Sequence, residues 1–198
     1  MFVTFEGVDG SGKTTQVELL HARLAAEGRE VVATREPGGT PFGERVRELL
    51  LDGTEMTPWA EAALFAAARA ELVERVIAPA LTGGGDVVSD RYIDSSLAYQ
   101  GIARGLGVDR VLELNLQATR GLLPDATFLL LLPLDAAEGR LGSQPDRIER
   151  QGREFRAAVD AAYRELAELF PRRVFPLEAT LPARQLAEEI YGRVRDLS

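Results

Sequence analysis

The chain has 198 residues, of which 45% are hydrophobic, and carries 23 Lys+Arg against 31 Asp+Glu for a formal charge of −8. That length buries a sizeable core as one domain, residues 1–198, with no need of a staple, and the absence of cysteine excludes a disulfide framework, a thiol nucleophile and a cysteine-ligated metal. The acidic balance opposes a nucleic-acid backbone as partner, and His21, the only histidine, leaves no room for a Ser-His-Asp triad or a histidine-rich metal site.

Phe2-Val3-Thr4-Phe5 reads as a first strand and residues 14–26 as a helix with Val17, Leu19, Leu20 and Leu24 as its apolar positions. The N-terminal residues enter that strand at once, so no secretory signal is expected and the protein should be cytoplasmic. Between strand and helix lies Gly7-Val8-Asp9-Gly10-Ser11-Gly12-Lys13-Thr14, followed by Thr15, which fits G-x-x-x-x-G-K-[ST] at every fixed position. Lys13 is also the only lysine in the chain. Arginine stands everywhere else, so this position calls for a compact, strongly hydrated ammonium rather than a planar fork. The glycines let backbone N–H groups curl around an anion at a helix N-terminus. Lys13 would reach the β- and γ-phosphates and the Thr14 hydroxyl a Mg²⁺ ion. The alternative is a plain glycine-rich turn, but the flanking strand and helix favour an ATP or GTP site.

Residues 30–34 form a second strand, ending in Arg35-Glu36-Pro37-Gly38-Gly39-Thr40. A helical stretch over 58–81 leads through Gly83-Gly84-Gly85 into a third strand at 86–89, which ends in Asp90-Arg91-Tyr92. Strands at 126–132 and 173–177 and a closing helix at 181–197 complete the order. The apolar run at 128–132 is too short to span a bilayer, so no membrane association is expected. The alternation predicts an α/β fold in three layers, α/β/α, around a five-stranded parallel sheet. Ligands in such sheets bind at the carboxyl ends of the strands, where Asp9, Arg35, Asp90 and Arg91 converge. Asp90 suits a Mg²⁺ carboxylate or a helix N-cap. Arg91 suits a second phosphate or a surface ion pair.

Asp146-Arg147-Ile148-Glu149-Arg150-Gln151-Gly152-Arg153 follows Gly139-Arg140-Leu141-Gly142-Ser143-Gln144-Pro145, placing Arg140, Arg147, Arg150 and Arg153 close together. The glycines and proline suggest a lid, residues about 139–153, that folds arginines over phosphates; the alternative is a solvated charged helix start. A guanine-reading Asn-Lys-x-Asp is impossible, because the single lysine is already in the phosphate loop.

The set Glu6 to Thr15, Thr34 to Thr40, Asp90-Arg91-Tyr92 with Ser95-Ser96-Leu97-Ala98-Tyr99-Gln100-Gly101, and Asp146 to Glu149 resembles the bacterial thymidylate kinases in order and across nearly the whole chain. The resemblance implies a P-loop nucleoside monophosphate kinase fold, a Mg²⁺-dependent homodimer, and transfer of the ATP γ-phosphoryl group to dTMP, giving dTDP and ADP. It implies that Phe65 stacks on thymine and that Arg69, one turn later, hydrogen-bonds a base carbonyl; the bare sequence reads Phe65 as core. It places Ser96 at the pyrimidine N3, Tyr99 against a ribose 2′-hydroxyl with Gln100 beside it, Arg91 and secondarily Arg35 on the dTMP phosphate, and Asp9 near the sugar 3′-hydroxyl and Mg²⁺. With Gly10 in the phosphate loop, the catalytic arginine is expected from the lid, Arg147 first and Arg140 second, although relatives carry a denser arginine cluster before the Asp-Arg-Ile-Glu run. Another nucleoside monophosphate or deoxynucleoside kinase, a non-enzymatic nucleotide switch and a nucleic-acid-dependent ATPase are the competing readings.

Overall fold

The computed structural model describes residues 1–140 and 146–197. Five strands, β1 (Phe2–Glu6), β2 (Val31–Arg35), β3 (Asp86–Asp90), β4 (Ala126–Leu131) and β5 (Val174–Glu178), form one parallel sheet in the order β2-β3-β1-β4-β5. Each expected strand is present, displaced by no more than one residue at either end. The chain leaves β1 for β2, but β1 itself lies between β3 and β4, so the order reverses there and opens a crevice beyond its carboxyl end.

Nine α-helices cross between the strands or close the chain among the described residues: α1 (Lys13–Ala26), α2 (Pro41–Leu51), α3 (Pro58–Leu72), α4 (Ala78–Thr82), α5 (Ile93–Ser96), α6 (Val108–Thr119), α7 (Leu134–Glu138), α8 (Arg153–Leu169) and α9 (Ala183–Arg195). Thr40 caps α2 through a bond from Gly43 N to its hydroxyl at 2.9 Å, with Pro41 in the first turn, where a missing N–H costs nothing. The helical stretch expected over 58–81 is broken by a π-helical turn, Val73–Ile77, between α3 and α4. Pro79 explains the break: it has no N–H to donate and crowds the preceding turn, and the wider turn sends the Ala78 N–H back to Val73 O. No helix among the described residues is long and apolar enough to cross a membrane.

The core forms where the sheet meets its helices, with Val3, Phe5, Val88, Phe128 and Leu129 packed with Leu20 and Leu24 of α1, Leu166 of α8 and Ile190 of α9. One polar chain crosses this core. Thr4 of β1 and Thr127 of β4 share a hydroxyl bond at 2.8 Å, Thr127 donates to Asp94 of α5 at 3.0 Å, and Arg173, just before β5, grips both Asp94 oxygens at 2.6 and 2.7 Å. Asp94 is buried, so removing its guanidinium would leave a carboxylate without its counter-charge. Arg173→Met is therefore expected to lower the unfolding free energy by about 3 kcal/mol or more. Urea denaturation measures this, and a loss under about 1 kcal/mol would show that the chain of bonds is not structural.

Candidate functional site

The phosphate loop emerges from β1 under steric constraints that only glycine meets. Gly7 has φ +137° and a Cβ there would stand 2.6 Å from Leu130 O; Gly10 has φ +82° and its Cβ would stand 2.6 Å from Ala137 O. Lys13, in the first turn of α1, is buried and donates to Gly7 O at 3.1 Å and Val8 O at 3.0 Å, with Asp9 Oδ1 3.8 Å away. Burial, joined by repulsion from Arg91, lowers Lys13 to about 8. Ser11 Oγ is buried with no protein partner, as expected of a hydroxyl in an anion cradle. Thr14 donates to Asp90 Oδ2 at 2.6 Å across the end of β3. Asp90 thus faces the loop, and the cap of α5 comes instead from Glu6 of β1, whose Oε1 accepts from Tyr92 N at 2.8 Å and Ser95 N at 3.1 Å. Burial, reinforced by Asp94, raises Glu6 to about 7.

Arg91 sits beside this loop with φ +72°, a left-handed conformation that costs a non-glycine residue about 1–3 kcal/mol. Its guanidinium donates to Gly7 O at 3.1 Å, Ser95 Oγ at 3.0 Å, Tyr163 OH at 3.1 Å and Asp9 Oδ1. Burial favours the neutral Asp9 carboxyl, but Arg91 and Lys13 outweigh it and hold the group at about 2.

Two cavities meet here. An open groove of about 1740 Å³ runs along the phosphate loop past Gly12, Lys13, Thr14, Thr15, Asp90 and Arg140. A cleft of about 510 Å³ is lined by Pro37, Phe65, Ser96, Tyr99, Gln100 and Ile148 among others. Asp9, Glu36, Arg47 and Arg91 line both. Tyr99 and Gln100 lie on a π-helical stretch, Leu97–Ala103, which continues α5. Such wide turns are frequent at functional sites. Arg35 lines the groove only and pairs with Glu44 at 3.1 Å in an exposed contact.

Three placements differ from expectation. Arg69 shares the α3 face with Phe65 but is 1% exposed and does not line the cleft. Its five N–H groups go to Glu36 Oε2 at 2.8 and 2.6 Å, Ser96 Oγ at 3.0 Å, Tyr92 O at 3.0 Å and Asn115 Oδ1, so contact with a base would require it to exchange a partner. Arg147, the arginine first expected at the transferred phosphoryl group, is buried away from the phosphate loop. It donates to Glu61 Oε2 at 2.7 Å and Leu50 O at 2.7 Å, because a buried guanidinium must be paired and Glu61 and the end of α2 supply its partners. Arg140, at the start of the segment expected to be a lid, borders the groove, 3.4 Å from Gly10 O, whereas Arg153 pairs with Asp135 and Glu138 in solvent. Residues 141–145 of the expected lid lie outside the described residues.

Sequence reasoning missed Arg47 and Glu36. Arg47 is half-buried on α2, donates to Pro37 O at 3.0 Å, and is lowered first by burial and then by repulsion from Arg35. Glu36 keeps Oε1 buried without a protein partner, and burial raises its carboxyl despite Arg69. The sequence signal for Glu36 was its place within the Arg35-to-Thr40 turn, and for Arg47 only its nearness to that turn.

Lysine that must be charged to hold phosphate but is lowered to about 8 by burial has a pH signature. The kcat/KM for ATP reports the free enzyme and should fall about tenfold per unit above pH 8, while kcat falls later because bound phosphate holds the proton on Lys13. A kcat/KM flat to pH 9.5 would contradict this account of Lys13.

A profile of the thymidylate kinase family matches residues 5–190 of the chain. A thymidylate kinase of Mesoplasma florum is 46% identical over 194 residues, covering 96% of this chain and 92% of its own length. One from Desulforudis audaxviator is 48% identical over 201 residues, covering 100% and 91%. The crystal structure of thymidylate kinase from Ehrlichia chaffeensis superposes with a TM-score of 0.81 at 32% identity, over 98% of each chain.

Proposed function

The chain belongs to the thymidylate kinase family, and we infer its activity from that membership together with the site: it is an ATP-dependent nucleoside monophosphate kinase that phosphorylates dTMP to dTDP. The observation that carries the reading is the meeting of a phosphate groove with a cleft lined by Phe65 and Tyr99, at a junction bearing Asp9, Arg47 and Arg91. A donor phosphate from one side and an acceptor phosphate from the other would be brought end to end there, the alignment that phosphoryl transfer needs above all.

In this reading one kinase domain spans residues 1–198, with the segment about 139–153 as its lid. Gly7, Val8, Asp9, Gly10, Ser11, Gly12, Lys13, Thr14 and Thr15 cradle the ATP phosphates, and Arg140 approaches from the lid side. Arg91 and Arg47 hold the acceptor phosphate, with Arg35 at the groove edge. Phe65 stacks on the base, Ser96 and Gln100 line its polar edge, and Tyr99 crowds the sugar. The acceptor is already an anion, so no strong base is required and charge neutralisation is the main task. Asp9 keeps Arg91 turned into the junction.

The oxygen pair at Thr14 and Asp90 fits a magnesium ion, which binds through few protein oxygens plus phosphates and water; no larger cluster of candidate ligands exists among the described residues. Mg²⁺, when bound, would neutralise charge on the β- and γ-phosphates. Of the expected metal contacts, Asp9 is committed to Arg91 and Lys13, so we assign the ion to Thr14 and Asp90. We also propose a cytoplasmic homodimer that uses the exposed apolar residues Phe42 and Leu49 on α2 and Trp59 on α3; sedimentation velocity would show the dimer, and Leu49→Asp should shift it toward monomer.

Release of ADP across a panel of nucleoside monophosphates tests the activity, with dTMP expected as the preferred acceptor. Phe65→Ala should raise KM for dTMP about tenfold or more with KM for ATP unchanged, since stacking acts on the acceptor alone; equal weakening of both substrates would return Phe65 to the core. Among lid arginines, Arg140→Ala should lower kcat about tenfold or more with little change in KM for dTMP, and Arg147→Ala should show mainly as lost thermal stability. Larger loss of kcat from Arg147→Ala in a protein of unchanged stability would reverse that assignment.

A further inference from the structure

Glu61 is buried on α3 and lines neither the groove nor the cleft, yet both its oxygens are fully used. Oε1 accepts from Gln100 Nε2 at 2.9 Å and Arg104 Nε at 3.2 Å; Oε2 accepts from Arg147 Nη2 at 2.7 Å and Arg104 Nη2 at 3.1 Å. These partners come from three separate segments: the π-helical stretch, the turn after it, and the run that begins at Asp146. Burial opposes the charge on Glu61, but the bonds from Gln100, Arg147 and Arg104 hold the carboxyl below its usual range.

An ionised carboxylate can only accept hydrogen bonds, so the end of the Gln100 side chain that faces Glu61 must be its NH₂. The amide's orientation is thereby decided by chemistry. Gln100 is 1% exposed, lines the cleft, and its Oε1 has no partner among the described residues. The carbonyl oxygen is thus the end of this amide left to accept a bond inside the cleft. Turned through 180°, the same amide would offer a donor in its place and leave its oxygen against the carboxylate.

From this geometry we propose that Glu61 is a positioning residue for base discrimination: it locks Gln100 with its carbonyl oxygen presented to the cleft, so that the site selects an acceptor base that carries an N3–H donor, as thymine and uracil do, over one whose N3 is an acceptor, as in cytosine. The inference rests on the reading of the cleft as the base site. Through Arg147, the same carboxylate secures the backbone at Asp146 and Ile148, which border that cleft. Selection of the base edge and placement of this wall therefore share one residue.

Glu61→Gln removes the acceptor-only constraint while keeping the shape, and dTMP, dUMP and dCMP are the probes. The ratio of kcat/KM for dTMP over dCMP should fall about tenfold or more, because a site built for one hydrogen-bonding pattern discriminates strongly only while that pattern is fixed. The dTMP over dUMP ratio should stay within about twofold, since those bases share the N3–H and differ by a methyl group; KM for ATP should not move. In a Gln100→Ala background, Glu61→Gln should have no further effect on the dTMP over dCMP ratio, because the two act through one contact. If Glu61→Gln does not fold, Glu61→Asp, which keeps an acceptor-only group, should fold and retain the discrimination in part. Equal losses for all three nucleotides, additive effects in the double variant, or an unchanged dTMP over dCMP ratio would make Glu61 an ordinary ion pair and overturn the proposal. Failure of the base-site reading itself would look different: Gln100→Ala and Phe65→Ala would both leave KM for dTMP unaltered.

Discussion

Two cations, Lys13 buried and Arg91 partly buried, set the terms for this site beyond the end of β1. Lys13 and Arg91 repel each other in surroundings largely shut off from water, and each is tolerable only because carboxylates and carbonyl oxygens surround them. Asp9 stands between the two, Glu6 lies behind Arg91 at 4.0 Å, and Gly7 O accepts from both cations. The unusual backbone of Arg91 is over-determined by these contacts: Ser95, Tyr163 and Asp9 all take bonds from its guanidinium, and Glu6 in turn binds Ser95 and Tyr163 at 2.6 and 2.8 Å. A phosphate arriving at this junction relieves repulsion that the fold has already accommodated, and the donors need little reorganisation to meet it.

The same logic recurs farther from the phosphates. Glu36 clasps Arg69, Glu61 clasps Arg104 and Arg147, and Asp94 clasps Arg173. Each buried carboxylate meets a planar guanidinium that delivers several bonds in a fixed geometry, which an ammonium on a flexible stem could not do. This gives physical sense to a chain in which lysine survives at one position: arginine holds the buried carboxylates, and lysine sits in the proposed phosphate loop. Glu36 itself lines the cleft, and Glu61 binds Gln100, which does too, so two of these three pairs support the cleft from behind while the third ties the sheet together.

The five strands and their parallel direction were legible because each is an apolar run bounded by turn residues and alternates with helices, whereas their order in the sheet came only from the structure. The phosphate loop was legible because its requirements are local: glycines where a Cβ would strike Leu130 O or Ala137 O, and a lysine one step into a helix. The π-helical turns were not, since they arise from Pro79 acting on a helix that is otherwise continuous and from packing around Tyr99 and Gln100. Arg147 shows the limit most plainly. Its neighbours in sequence put it in a lid, but its nearest carboxylate is 86 residues away on α3, and a buried ion pair overrides local context.

By itself, then, the sequence determined the elements, their order and the phosphate chemistry, because those depend on residues within a few positions of one another. Only the tertiary structure decided which of the 22 arginines border the groove and cleft and which are tied into buried ion pairs. That sorting depends on carboxylates brought near from distant segments, Glu36 to Arg69, Glu61 to Arg147 and Asp9 to Arg91, and on the burial that makes each pairing obligatory.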